Sequence, residues 1–242
     1  MIKEAIDRIL GLASPSFFTD PDGHQFANQK LIPVNRPLIT PIAVTTLGGF
    51  CDLITEGFEG IKPIEVIAHV ESHQSVSLVS IASDAWGRRT EIISCDLPDV
   101  KGFSFEQFMD HETFIIRLQA IFTPTADLDY LLKLASNLST ERVQTSEDDG
   151  ITQKATLKQG VVLKGQPQEV KARVNLAPFR TFREVAQPAS DFIFRLRNAG
   201  ENQPPTLALF EADGGKWKLE AMENIGRYLR VKLGEKEVAV VI

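Results

Sequence analysis

Apolar residues recur with a helical period along residues 104–122, SFEQFMDHETFIIRLQAIF, and polar residues form one narrow stripe. Ser104 and Gln107 have the spacing of a capping box, which predicts a helix that begins at Ser104. The stripe consists of Glu106, Asp110, Thr113 and Arg117. A helix with so little polar surface has to be covered on most sides, and we expect a core to be organised on it.

Four further stretches have a helical pattern. They are residues 2–12, LGGFCDLITEGF after a threonine cap at Thr45 or Thr46, DLDYLLKLASNL after a cap at Thr125 or Asp127, and residues 217–231. The link between the central helix and the next one is short. We therefore expect these two helices to pack as neighbours.

Strand-like alternation occupies most of the remaining chain. The candidate strands are residues 30–34, 64–70, 75–82, 89–95, 141–146, 151–158, 161–163, 170–176, 191–198, 206–210 and 237–242. Residues 14–28 have few periodic apolar positions and are expected to be a loop or an extended arm. Three consecutive strands followed by the central helix favour antiparallel sheets with helices on one face. The pattern predicts an α+β fold with a few packed helices and a β-rich second half.

Charge is unevenly distributed along the 242 residues. Residues 1–151 carry 11 Lys and Arg against 22 Asp and Glu, whereas residues 152–197 carry 9 against 3. We therefore predict an acidic α+β half, residues 1–140, organised on helix 104–122, and a basic β-rich half, residues 141–242, with a C-terminal helix. No flexible linker separates the two, so we expect them to form one compact unit. A basic segment in an acidic protein is typical of a surface that meets an anionic partner.

The composition also bounds the class of protein. The sequence has no run of 18 apolar residues, so we expect no membrane-spanning helix and no membrane partner. The first residues, MIKEAIDRILGLA, carry acidic side chains and predict an amphipathic helix instead of a signal peptide. Cys51 and Cys95 are too few for a disulfide framework and too isolated for a zinc site. These features favour a cytoplasmic protein.

His69, Glu71 and His73 form the most suggestive cluster for metal chemistry. On a strand, residues two apart share a face, so these three side chains would point the same way. Imidazole and carboxylate groups together can bind a divalent cation, which makes the cluster a candidate metal site. The alternative is a solvated strand face. The sequence supplies no further ligand and no H-E-x-x-H helix motif, and that favours the alternative.

Six basic residues of the second half are interleaved with phenylalanines and form a candidate nucleic-acid interface. They are Lys171, Arg173, Arg180, Arg183, Arg195 and Arg197. Phosphate binding needs cations, and single strands also need exposed aromatic faces. The alternation in FIFRLRN predicts that Phe192 and Phe194 face the core, so the charge favours an interface more than the aromatic residues do. The alternative is a sheet whose solvated face uses Lys and Arg.

Motifs of common catalytic sites are not found in the sequence. It has neither a phosphate-binding loop nor a G-x-S-x-G elbow, and neither cysteine has a histidine nearby in sequence. Consecutive residues on a helix diverge by about 100°, so Asp110, His111 and Glu112 cannot converge on one ion. We therefore expect no enzymatic activity and no cofactor.

The order of motifs resembles a known family. A helix follows a threonine in TTLGGFCDLI, a Trp-containing turn joins two strands in SDAWGRRTEI, and an F-x-x-F helix follows in FSFEQFMDHETF. A β-rich half with the arginine strand FIFRLRN, a terminal helix and a short strand completes the pattern. Over most of residues 40–242 this resembles the YfdQ-like proteins of bacteriophages and prophages. The resemblance implies a phage or prophage protein made in the host cytoplasm, and it supplies no activity and no catalytic residues.

Three hypotheses about function follow. The first is a non-enzymatic binding or assembly protein of phage origin, with nucleic acid or a host protein as its partner. The second is a self-assembling homo-oligomer, in which the proline-rich arm before residue 40 or the final VAVVI would join subunits. The third is a metal-dependent enzyme centred on His69, Glu71 and His73.

Overall fold

The structure is a computed structural model. It describes residues 2–13, 17–19, 21, 25–27, 40–81, 89–99, 102–140, 142–148, 153–158, 168–197 and 205–242. The chain divides into two compact units, Met1–Leu38 and Ile39–Ile242. The candidate strands at residues 30–34 and 161–163 and the Trp-containing turn at residues 82–88 lie outside the described residues.

The first unit contains one helix and one strand pair. The predicted amphipathic helix is present as α1 (Ile2–Ala13). β1 (Phe17–Thr19) and β2 (Gln25–Ala27) pair antiparallel. This pair corrects the expectation that residues 14–28 form a loop or an extended arm, because strands of three residues are too short to show a periodic pattern in the sequence.

The second unit is an α+β structure, as predicted. Its elements are β3 (Ile42–Val44), α2 (Leu47–Thr55), β4 (Val66–Val70), β5 (Ser75–Ser80), β6 (Glu91–Asp96), α3 (His111–Ile121), α4 (Ala126–Thr140), β7 (Arg142–Asp148), β8 (Gln153–Lys158), β9 (Gln168–Val170), β10 (Arg173–Leu176), β11 (Ser190–Arg197), β12 (Thr206–Glu211), α5 (Lys216–Leu233) and β13 (Ala239–Val241). Short 3-10 turns at Phe58–Gly60, Pro63–Glu65 and Gly234–Lys236 connect some of them.

A five-stranded sheet in the order β13-β4-β5-β6-β3 forms one side of the first core. The strands β4, β5 and β6 are antiparallel, as expected from their meander order, whereas the edge strands β13 and β3 run parallel to their neighbours. A helix follows β3 and another precedes β13, so no tight hairpin imposes antiparallel pairing there. α2 and α5 contribute buried residues to this core, among them Phe50, Ile225 and Leu229.

A three-stranded antiparallel sheet, β10-β11-β12, underlies the other core. α3 and α4 supply the helical side of this core, with Phe114, Leu118 and Leu131 fully buried. Phe192 and Phe194 of β11 face inwards, as their alternation predicts. A further sheet, β7-β8-β9, contains the predicted hairpin, whose turn lies outside the described residues.

The central helix is shorter than the predicted span of 104–122. α3 begins at His111, because the side chain of Asp110 accepts a hydrogen bond from the Thr113 amide and is the N-cap. Ser104 has another role, since its hydroxyl accepts a hydrogen bond from Arg117. Residues 105–109 instead run along the edge of β12, where the Met109 amide bonds to the Leu207 carbonyl. The apolar residues before Asp110 therefore serve sheet packing, not a helix.

Each of the two cores contains residues from both sides of residue 140, the predicted boundary between the acidic half and the basic half. α3 and α4, from before this point, pack with β10, β11 and β12, from after it. In the other core, α2 and β4–β6 pack with α5. Each core therefore needs segments that are distant in sequence.

Candidate nucleic-acid interface

The sheet β10-β11-β12 has one face that does not pack on α3 and α4, and we refer to it as the outer face. Residues of β11 alternate, so Ile193, Arg195 and Arg197 point to this face while Phe192 and Phe194 point to the core. The strand register shows which residues of β10 and β12 lie on the same face. Arg173 of β10 and Phe210 of β12 both lie beside Ile193.

Phe108 adds a second aromatic ring to the outer face. The bridge between Met109 and Leu207 holds its segment against the edge of β12. Its ring centroid lies 6.1 Å from that of Phe210 at an interplanar angle of 66°, an edge-to-face arrangement. Arg197 Cζ lies 3.8 Å from the centroid of Phe108. Phe108 and Phe210 are both half-buried, so part of each ring is accessible.

The charge that β10 and β11 present on the outer face is positive. Arg173 and Arg197 are exposed and Arg195 is half-buried. Asp191 also points to this face, and its carboxylate accepts a hydrogen bond from Asn175 Nδ2 at 2.8 Å. On the outer face, β10 and β11 therefore carry three arginines and one carboxylate, and the rings of Phe108 and Phe210 lie on the same face.

Sequence reasoning missed the aromatic half of this face. It placed Phe108 on the apolar side of a helix and gave Phe210 no role. Phe210 ends the continuous apolar run Leu207–Phe210 of β12, so alternation in the sequence does not assign it to a face. Phe108 could not be assigned either, because its placement depends on the contact between Met109 and Leu207, which are far apart in sequence.

Arg180 lies away from the outer face in a closed cluster. Its side chain is only 9% exposed, and Nη1 lies 2.6 Å from Glu211 Oε1. Nη2 donates to the Ser190 hydroxyl, and Cζ lies 3.8 Å from the centroid of the Trp217 ring. Burial lowers the pKa of Arg180, while Glu211 and Asp213 oppose this shift. This guanidinium is therefore enclosed by protein groups and is not presented to a ligand.

The two remaining candidate cations have local partners. Lys171 Nζ lies 3.0 Å from Asp127 Oδ1 and 5.0 Å from the centroid of Tyr130. Arg183 is exposed in the loop between β10 and β11, with its guanidinium 5.3 Å from the centroid of Phe179. Of the six basic residues that the sequence selects, the structure brings Arg173, Arg195 and Arg197 together.

The structure does not bring His69, Glu71 and His73 together. His69 Nδ1 lies 3.9 Å from Glu71 Oε1, and the same carboxylate oxygen accepts a hydrogen bond from the Ser77 hydroxyl at 2.5 Å. His73 instead packs edge-on against Trp217, with ring centroids 4.7 Å apart. Within the described part of the chain, no three His, Cys, Asp or Glu side chains are grouped so that they could hold a metal ion.

Two further observations concern cysteine chemistry and membranes. Burial raises the pKa of Cys51 and of Cys95 to about 12, so both are protonated thiols near neutral pH. Among the described residues, no helix combines the length and the apolar character that crossing a bilayer demands.

Comparisons with known proteins leave the family open. No family model, curated protein or solved structure matches the chain. The resemblance to the YfdQ-like proteins therefore stays a prediction.

Proposed function

We propose that this protein is a non-enzymatic binding protein that holds single-stranded nucleic acid on the outer face of β10-β11-β12. The observation that carries this proposal is the position of Arg197 over Phe108, with Phe108 edge-on to Phe210, on the face that also carries the exposed Arg173. We place its action in the cytoplasm of a phage host, the setting that the resemblance to the YfdQ-like proteins implies.

Single strands suit this face better than a duplex. Proteins that hold single strands combine cations along the backbone with aromatic rings on which bases stack. Arg173 lies beside Ile193, four residues along β11 from Arg197, which corresponds to about 13 Å along the strand direction. Phosphates can contact the two ends of this row, while bases stack on the accessible parts of Phe108 and Phe210. In a duplex the bases are stacked on one another and do not offer their faces.

The experiment is an equilibrium titration of the full chain against fluorescein-labelled oligothymidine, followed by fluorescence anisotropy at low ionic strength. We expect the single strand to bind more tightly than a duplex of equal length. Phe210→Ala is expected to weaken binding roughly 5- to 150-fold, because each stacked base contributes about 1–3 kcal/mol.

Phe58→Ala is the matched control. Phe58 is also accessible, with 43% of its surface exposed, but it lies in the 3-10 turn that follows α2, outside the sheet β10-β11-β12. This substitution should leave the affinity unchanged. If the wild-type chain does not bind the oligonucleotide at low salt, or if both substitutions weaken binding equally, the proposal is wrong.

A further inference from the structure

The exposed face of α5 carries its charges in a fixed order. Glu220, Glu223, Arg227 and Arg230 are all exposed. Their spacing of three, four and three residues places them on one side of the helix. Along this stripe the two acidic residues come first and the two basic residues follow, so it has an acidic pair and a basic pair; the exposed Lys216 lies one turn before Glu220, outside the two pairs.

This order is complementary to itself. If a second α5 lies antiparallel across the first, the acidic pair of each helix faces the basic pair of the other. The two-fold axis passes midway between Glu223 and Arg227, which then face each other twice, and Glu220 likewise faces Arg230. A closed symmetric dimer requires this kind of self-complementary patch.

Apolar side chains lie beside the charges. Val231 is 77% exposed and Ile242 is 40% exposed. They line a cleft of about 410 Å³ together with Glu223, Arg227 and Arg230. Exposed apolar groups with charged residues around them are typical of surfaces that a partner covers.

Gly226 allows Ile242 to pack against α5. A Cβ at this position would lie 2.4 Å from Ile242 Cδ1 and 2.8 Å from Ile242 Cγ1. The absence of a side chain at Gly226 therefore lets Ile242 lie directly on α5. Ile242 follows β13 and so joins the sheet edge to the helix face.

We propose that a second copy of this chain docks antiparallel on α5, through Glu220, Glu223, Arg227, Arg230, Val231 and Ile242. The inference goes beyond nucleic-acid binding and rests on different residues. The inner side of α5 packs in the core of the five-stranded sheet, whereas the outer face belongs to the other sheet. A dimer formed on α5 therefore uses none of the residues that make up the outer face.

Charge reversal tests this proposal, with sedimentation velocity over a concentration series as the measurement. Glu223→Arg alone and Arg227→Glu alone each put like charges across the axis, and we expect each to weaken the dimer at least 10-fold relative to wild type. An equimolar mixture of the two variants pairs opposite charges again. The mixture should therefore form a heterodimer with near wild-type affinity, and Val231→Ser should weaken the dimer without changing its charge.

Glu56→Arg is the matched control, because Glu56 is exposed at the end of α2, outside this face. It should leave the dimer unchanged. A wild-type chain that stays monomeric at the highest attainable concentration overturns the proposal. It is also overturned if both reversals leave a wild-type dimer intact, or if each abolishes the dimer and the mixture does not restore it.

Discussion

Two arginines of this protein lie over aromatic rings at the same distance but in opposite surroundings. Arg180 lies 3.8 Å from the centroid of Trp217, and Arg197 lies 3.8 Å from the centroid of Phe108. The Arg180 side chain is nine-tenths buried and forms an ion pair with Glu211. Arg197 is exposed at the end of β11, where the neighbouring strand offers Thr206.

The difference shows that a contact between a cation and an aromatic ring does not by itself mark a binding surface. A buried charge needs a partner, because its transfer from water is otherwise costly, and Glu211 and Ser190 meet this need for Arg180. An exposed guanidinium keeps its hydration and can exchange water for phosphate. The same pair of groups therefore stabilises the fold at one site and suits ligand binding at the other.

Arg180→Ala is expected to have the largest effect on stability. It removes the buried partner of an ion pair whose other member, Glu211, is exposed, and it uncovers the Trp217 ring, so we expect a loss of about 1–3 kcal/mol in free energy of unfolding. Arg197→Ala, its counterpart on the surface, should change stability by less than about 0.5 kcal/mol. Urea denaturation of both variants measures the difference. Equal losses of stability would erase the distinction between the two sites.

Thr206→Glu should give Arg197 an acidic partner, as Glu211 is for Arg180. Thr206 lies directly opposite Arg197 in the strand register, so a carboxylate there can pair with the guanidinium across the strands. We expect roughly 10-fold weaker binding of oligothymidine, because one cation becomes neutralised and one negative charge is added. Thr206→Gln, which has the same shape without the charge, should bind like wild type. If the two variants bind equally, charge at Arg197 is not what the ligand contacts.

His73, which packs against Trp217, is expected to make the stability of the fold depend on pH. This effect is smaller than those of the substitutions above. Burial lowers its pKa, and the positive charges of Lys218 and Arg180 lower it further. The unfolded chain then binds more protons than the folded one as the pH falls below the ordinary pKa of 6.5, so His73 contributes a loss of stability in this range. Phe at this position keeps a ring against Trp217 and does not titrate.

We therefore expect the free energy of unfolding of His73→Phe to fall less than that of wild type between about pH 8 and about pH 5. Carboxylates titrate in both proteins, so the difference between the two curves isolates His73. Denaturant unfolding at a series of pH values provides these curves. Parallel curves would mean that the histidine is equally easy to protonate in both states.

Much of the fold follows from local pattern. The cap of α2 and the inward direction of Phe192 and Phe194 depend on residues close in sequence. The pattern predicts a cap at Thr45 or Thr46, of which the structure has Thr46, and it predicts the direction of both phenylalanines. The predicted start of α3 at Ser104 was wrong. A capping box at Ser104 and a cap at Asp110 look alike in sequence, and the structure has the cap at Asp110. The pairing of residues 105–109 with β12 decides between them, and this pairing has no local signature.

The candidate site was predictable only in part. Arg195 and Arg197 were placed outwards from the alternation of β11, and the structure has them there. Arg180 could not be separated from them, because its burial results from Trp217 and Glu211, which come later in the chain. Sequence counts the charges, whereas tertiary packing decides which of them face solvent.

The salt dependence of oligothymidine binding tests the central claim most directly. Each phosphate contact to a single strand contributes about −0.7 to the slope of log K against log salt concentration. Arg197→Gln should make this slope shallower by about that amount. Arg183→Gln removes another exposed arginine, which also lies near a phenylalanine ring but stands off the outer face, and should leave the slope unchanged. A slope that responds equally to both substitutions, or to neither, would contradict the assignment of the outer face as the binding surface.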